Sequence, residues 1–199
     1  MPQQGADCDA RRDLTVVILG KTGSGKSSAA NTILGERVFR AEMSFNPVTK
    51  HCEKNQRKVE GRIVTVIDTP CLSCHLNEEL FTEIKKCVET GPHVFLLVIR
   101  VNEKLTDEMK NAIKWVEENM GKDVLCYIIV LFTYVDQLQE TPLENYCRAS
   151  QYIRTLINSC GGRFHPFISD GRQDNNQVKE LLEKIDKLVW WNSDQTYTM

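Results

Sequence analysis

Gly20-Lys21-Thr22-Gly23-Ser24-Gly25-Lys26-Ser27 reads G-x-x-x-x-G-K-S without a mismatch. An apolar run over 14–19 precedes it, and 28–34 (Ser-Ala-Ala-Asn-Thr-Ile-Leu) follows as a helix start. Strand, glycine loop and helix in that order define a phosphate-binding loop. The glycines let successive backbone N–H groups turn inward into a concave nest for phosphate oxygens. Lys26 brings a point charge to the β- and γ-phosphates, which also makes it a catalytic candidate, and the Ser27 hydroxyl is placed to hold Mg²⁺. The following helix N-terminus favours anions through its dipole and its unpaired N–H groups. Lys21, Thr22, Gly23, Ser24, Gly25, Lys26, Ser27 and Ser28 are the candidate nucleotide-binding residues of this loop.

Composition sets the frame. A chain of 199 residues, 41% hydrophobic and 26% charged, suits one domain with a substantial core. Net charge is −2, with no Lys/Arg block, so nothing suggests a nucleic-acid partner. The N-terminal residues lack the apolar core of a signal peptide, and glycine is not second as myristoylation requires. No apolar run approaches the ~20 residues of a membrane span. These features point to a cytoplasmic chain whose eight cysteines are reduced thiols rather than a disulfide framework. Cys71-Leu72-Ser73-Cys74-His75 has C-x-x-C-H spacing. It is open to three readings: metal or haem attachment, a redox-sensitive pair, or incidental cysteines.

The order of elements follows from periodicity. After a polar stretch over 36–47, residues 48–59 and 62–68 read as an antiparallel hairpin turning at Glu60-Gly61. Residues 77–90 carry apolar positions at helical spacing up to Gly91-Pro92. The run 93–99 reads as a buried parallel strand, and Thr106 caps the next helix. Residues 124–132 read as a further buried strand. Pro142 opens one helix that runs to Gly161-Gly162. A short strand over 163–169 and an amphipathic helix from Val178 close the pattern. Alternating strands and helices imply an α/β fold, a mostly parallel six-stranded sheet with helices on both faces. The expected organisation is a flexible segment over 1–11, a nucleotide-binding domain over 12–191 and a polar tail over 192–199. Ligands in such sheets sit at the carboxyl ends of the strands.

Two carboxylates reach that edge. Asp68, in Asp68-Thr69-Pro70 at the end of a strand, is the expected second Mg²⁺ contact, through water, beside direct coordination by Ser27. Asp136 lies in Thr133-Tyr134-Val135-Asp136, just past a buried strand. A carboxylate there can accept from guanine N1–H and its 2-amino group, whereas adenine offers an acceptor at N1 and no 2-amino group. Guanine-binding proteins carry Asn/Thr-Lys-x-Asp. Here Thr133 and Asp136 are kept and Tyr134 replaces the lysine, where a ring can stack on the base instead of an aliphatic stem.

With these residues in place, the chain resembles the GTPases of the immunity-associated protein family (GIMAP), relatives of septins and of chloroplast-import GTPases. The matching passages are 17–28, Asn31-Thr32-Ile33-Leu34-Gly35, Val48-Thr49-Lys50-His51-Cys52 and Val66-Ile67-Asp68-Thr69-Pro70. Gly91-Pro92-His93-Val94-Phe95-Leu96-Leu97-Val98, Leu131-Phe132-Thr133 and Cys160-Gly161-Gly162-Arg163-Phe164-His165 complete the set. They cover nearly the whole chain, and the Gly-Pro-His and Cys-Gly-Gly-Arg passages are more specific than any phosphate loop. The resemblance implies a Ras-like P-loop NTPase fold, cytosolic residence, GTP and GDP as ligands, and GTP-dependent dimerisation with itself or a related G domain. It makes Thr49 the switch threonine closing over Mg²⁺ and the γ-phosphate, and it places Ser169 in the base-contacting loop.

Hydrolysis needs an oriented water and stabilised phosphoryl charge. Counting from Asp68, the position where Ras-like proteins carry the water-orienting glutamine is Leu72, and Cys71 stands where glycine is usual. An isolated monomer should therefore be a slow GTPase. Some relatives insert an arginine in trans from the stretch after the long buried strand. Here that stretch reads Glu103-Lys104-Leu105-Thr106, and Lys104 keeps the charge without the planar fork. Two readings remain open: a slow enzyme completed by its dimer, and a GTP-bound scaffold with negligible hydrolysis. A small-molecule kinase would want an Arg-bearing lid, which the sequence does not offer.

Overall fold

In a computed structural model of the chain, residues 12–41, 51–72, 78–89, 91–103, 106–168 and 175–198 are described. Thr49, Cys74, Lys104 and Ser169 lie outside them. Four apolar runs become the central strands β1 (Leu14–Gly20), β3 (Arg62–Asp68), β4 (Val94–Arg100) and β5 (Ile128–Thr133). With β2 (Glu53–Val59) and β6 (Phe164–Phe167) they form one sheet in the order β2-β3-β1-β4-β5-β6. All neighbours are parallel except the β2–β3 hairpin, whose turn residues Glu60 and Gly61 both have positive φ (47° and 85°). That pair of dihedrals matches the right-handed twist of the flanking strands.

Period-2 alternation splits each central strand between two cores. On one face Val16, Ile18, Val64, Val66, Leu96, Val98, Ile129 and Leu131 pack against α1 (Lys26–Leu34) and α6 (Asn175–Trp191). On the other, Val17, Leu19, Phe95, Leu97, Val130 and Phe132 meet α2 (Glu78–Val88), α3 (Asp107–Met120), α4 (Leu143–Ala149) and α5 (Gln151–Ser159). Both faces of the parallel strands are thus covered, which is why they are continuously apolar.

Four expectations change. The strand expected from residue 124 begins only at Ile128, and Lys122–Tyr127 form a 3₁₀ turn. Arg163 holds that turn by donating to the Leu125 and Ile128 carbonyls at 2.7 and 3.0 Å. The single helix expected from Pro142 is two, broken at Ser150 (φ −107°, ψ 117°), whose hydroxyl accepts from Ile153 N–H to cap α5. Residues 192–198 do not trail as a polar tail. Tyr197 is 3% exposed, packed edge-on to Phe95 and Tyr127, with its N–H on the Pro92 carbonyl and its hydroxyl on Met120 O.

The fourth concerns sulfur. Cys52 and Cys87, expected as reduced thiols, are joined by a disulfide, and Cys71 is disulfide-bonded as well. Cys52 precedes β2 and Cys87 lies on the buried face of α2, so the fold brings together two residues 35 apart in sequence. No spacing rule could expose that contact. Cys126, Cys147 and Cys160 are free.

His165 on β6 is fully buried. Its Nε2 lies 2.9 Å from the Gln177 carbonyl, which only accepts, so the proton sits on Nε2 and a second one at Nδ1 would meet no acceptor. Burial, reinforced by the Lys184 ammonium, lowers its pKa from 6.5 to about 4. The unfolded chain takes up this proton below about pH 6.5 while the folded chain stays neutral until about pH 4. Stability therefore drains away as pH falls through that window, by about 3 kcal/mol in all. Denaturant titrations at pH 7 and pH 4.5 should show a smaller acid loss in His165→Gln than in the parent chain; equal losses would refute this assignment.

Candidate functional site

The phosphate loop joins β1 to α1 at the carboxyl edge of the sheet, and its curvature is enforced from outside. A Cβ on Gly20 would stand 2.8 Å from the Val98 backbone oxygen, so only glycine lets β1 and β4 stay paired there. Gly25 has φ 92°, a left-handed conformation that starts α1 without a side-chain cap. Behind the loop, Thr133 is buried and donates its hydroxyl to the Ser24 carbonyl at 2.6 Å. That bond clamps the loop from behind.

Lys26 is 8% exposed and donates to the Lys21 carbonyl at 3.1 Å. Burial pulls its pKa from 10.5 down to about 8 against the opposing attraction of Asp68. A cation kept at that cost fits a bound polyanion, whose phosphates would favour the charged form. One residue on, the Ser27 hydroxyl donates to Asp68 Oδ2 at 2.5 Å. Asp68 ends β3 in register with Ile18 of β1, so two hard oxygen donors from neighbouring elements meet beside the loop, a donor set suited to Mg²⁺. Thr69 fixes that corner by donating to the Ile18 carbonyl at 2.6 Å. Leu72 is fully buried, and its N–H bonds the Gly20 carbonyl at 3.1 Å.

The side chain of Lys21 turns away from the loop to pair with Glu103, which also lies 3.9 Å from Arg100. Ser28 continues α1, accepting from the Thr32 hydroxyl at its carbonyl, and Thr22 and Gly23 form the partly open crest of the loop. Tyr134 adopts φ 58°, ψ 34°, a rare state for a bulky residue that tends to persist at functional sites. That turn delivers Asp136, solvent-exposed, at the start of a 3₁₀ turn. The Tyr134 ring edge closes on Gly25, where an added Cβ would be 3.3 Å away. Arg100 covers the ring at 4.1 Å.

Two contributors were given no site role from the sequence. Arg100 pairs in register with Thr133, which places it beside Tyr134; a charge ending an otherwise apolar strand was the available signal. Asn31 accepts from the N–H groups of Val38 and Phe39 and donates to Phe39 O, tethering the chain as it leaves α1 toward Thr49. An asparagine on a helix face carries no local sequence signal for such a tether.

This geometry defines a Ras-like G domain of the P-loop class. The AIG1 family matches residues 14–199, and the chain belongs to the AIG1 family. GTPase IMAP family member 8 of Rattus norvegicus is 35% identical over 183 residues, which are 88% of this chain and 26% of that protein. The chain thus spans about a quarter of that relative's length. Among solved structures, a dimerization-deficient mutant of Toc33 from Arabidopsis thaliana superposes with a TM-score of 0.76 at 21% identity, covering 95% of this chain and 88% of that one. Toc33 in complex with GDP and Mg²⁺ gives 0.66 at 20% identity, with coverage of 88% and 84%. At these identities the likeness concerns the fold. Among the described residues, no helix is long and apolar enough to cross a membrane.

Proposed function

We propose that this domain is a cytoplasmic guanine-nucleotide switch that binds GTP and GDP with Mg²⁺, dimerises in the GTP state and hydrolyses GTP slowly. The observation that carries the reading is the meeting of buried Lys26 with the Ser27–Asp68 pair at the mouth of the glycine loop. The names of its family relatives and the ligands of Toc33 favour the same reading. Lys26 would meet the β- and γ-phosphates, the loop N–H groups the remaining oxygens, and Asp136 the guanine edge beside the Tyr134 ring. Ser27 and, through water, Asp68 would hold Mg²⁺, with Thr49 completing the set in the GTP state; Ser169 would line the base. When bound, the ion would supply positive charge that offsets the negative charge of the phosphates.

Leu72 supports slow chemistry. Buried in the core and hydrogen-bonded through its own N–H, it offers no polar group to orient water. The same observation keeps the second reading in play, a GTP-bound scaffold with negligible hydrolysis. Lys104 of a facing protomer would supply the missing charge in the first reading only. Light scattering should find monomer with GDP and dimer with a non-hydrolysable GTP analogue. The hydrolysis rate per molecule should rise with protein concentration for the enzyme and stay at background for the scaffold. Monomer with every nucleotide would defeat both.

A further inference from the structure

Two cysteines outside the proposed nucleotide site join the start of β2 to the end of α2. Cys52 follows Thr49 by three residues and leads into β2. Cys87 lies in the last turns of α2, the helix downstream of Asp68 and Cys71. Their Cα atoms are 6.8 Å apart and their sulfurs are joined. The two sulfurs stand 3.5 and 3.2 Å from the Glu83 carbonyl oxygen, which can accept an S–H from either thiol once the bond is open. Both redox states thus have a place in the same packing. Cys52 is partly exposed, whereas Cys87 is 6% exposed, so the pair has one accessible and one sheltered sulfur.

We propose that Cys52 and Cys87 form a reversible oxidation site whose co-reactant is a small disulfide of the glutathione class, and that its oxidised state fastens β2 to α2. The Cys52 thiolate attacks one sulfur of the small disulfide, giving a mixed disulfide and releasing one small thiol. The Cys87 sulfur, deprotonated, then attacks Cys52 Sγ, closing the protein disulfide and releasing the second small thiol. Two protein thiols are oxidised and one small disulfide is reduced to two thiols, so electrons and protons balance. In the cytoplasm such bonds are characteristically transient and redox-sensing. Apart from this link, β2 is an exposed edge strand paired only with β3, and α2 packs against the core through Leu80, Ile84 and Val88. A covalent tie between them removes independent motion of the strand that follows Thr49 and the helix that follows Asp68. Where the GTP-switch reading holds, on which this consequence rests, the oxidised form should discriminate less between GTP and GDP, because neither segment can rearrange alone.

The test uses the full chain equilibrated in reduced and oxidised glutathione, with peptide mapping after thiol alkylation. Expected is a Cys52–Cys87 linked peptide under oxidising buffer that disappears on reduction, and slower amide exchange over β2 and α2 in the linked form. Cys52→Ser and Cys87→Ser should each show the exchange pattern of reduced protein in both buffers. The affinity ratio of a non-hydrolysable GTP analogue to GDP should fall by about fivefold or more on oxidation and stay fixed in the serine variants. Unlinked cysteines under oxidising buffer, or identical exchange in the two states, would overturn the proposal. Linkage with altered exchange but no GDP binding would uphold the site and defeat the nucleotide-switch reading instead.

Discussion

Lys26→Met is expected to raise the stability of the nucleotide-free protein while removing its affinity for GTP and GDP. The two effects share one cause. The fold buries the Lys26 ammonium and lowers its pKa to about 8, so below that pH the charged form carries a penalty of up to about 3 kcal/mol. Methionine fills similar space without that charge and gives up the bond to the Lys21 carbonyl and the attraction of Asp68, the latter already counted against the burial penalty in the lowered pKa. A net gain of about 1–2 kcal/mol follows, which in a domain of this size moves Tm by roughly 2–8 °C. For the ligand the sign reverses. Phosphate oxygens seated in the loop lose a buried charged partner, a change that costs about 2–5 kcal/mol, or roughly 30- to several-thousandfold in Kd. Thermal unfolding with and without GDP measures both halves at once. The parent should gain Tm with GDP, and the variant should start higher and gain nothing. A variant that is both less stable and still shifted by GDP would show that Lys26 is an ordinary core lysine.

That opposition also explains which parts of the molecule could be read from the chain. The central strands were legible because burial on both faces forces unbroken apolar runs, and the loop was legible because its curvature tolerates few residues. Local runs misled where tertiary contacts decide the conformation. Val124-Leu125 looks like the start of β5, yet Arg163, far along the chain, satisfies the Leu125 and Ile128 carbonyls and lets the segment turn as a 3₁₀ element. The passages that carry the family resemblance are partly architectural for the same reason. His93 in Gly91-Pro92-His93 accepts the Thr15 N–H at Nδ1, at 3.0 Å, and its own N–H bonds the Thr15 carbonyl. Thr133, read as a nucleotide contact, secures the loop from behind. Tyr197 in a polar stretch and the Cys52–Cys87 pair depend on contacts between distant segments, which periodicity does not encode.

Asp136→Asn should exchange one base preference for another, the sharpest result expected of the proposed base-binding loop. The carboxylate offers only acceptors, which match guanine's N1–H and 2-amino donors. An amide offers one acceptor and one donor. The acceptor can still take N1–H, but the donor then opposes the 2-amino group, leaving two donors face to face. Unpaired polar groups cost about 1–3 kcal/mol each, and the lost charge adds to that, so GDP should weaken about 100-fold. Xanthine carries a carbonyl at that position and complements the amide, so XDP should bind the variant more tightly than GDP does. Asp136→Ala should weaken both without the exchange. Because Tyr134 sets the turn through its left-handed backbone, and Arg100 and Gly25 hold its ring, neither substitution should disturb the loop itself. Calorimetric titration of the parent chain, Asp136→Asn and Asp136→Ala with GDP, XDP and ADP decides the matter. Guanine preference retained in Asp136→Asn, or ADP bound by the parent as tightly as GDP, would remove Asp136 from base recognition.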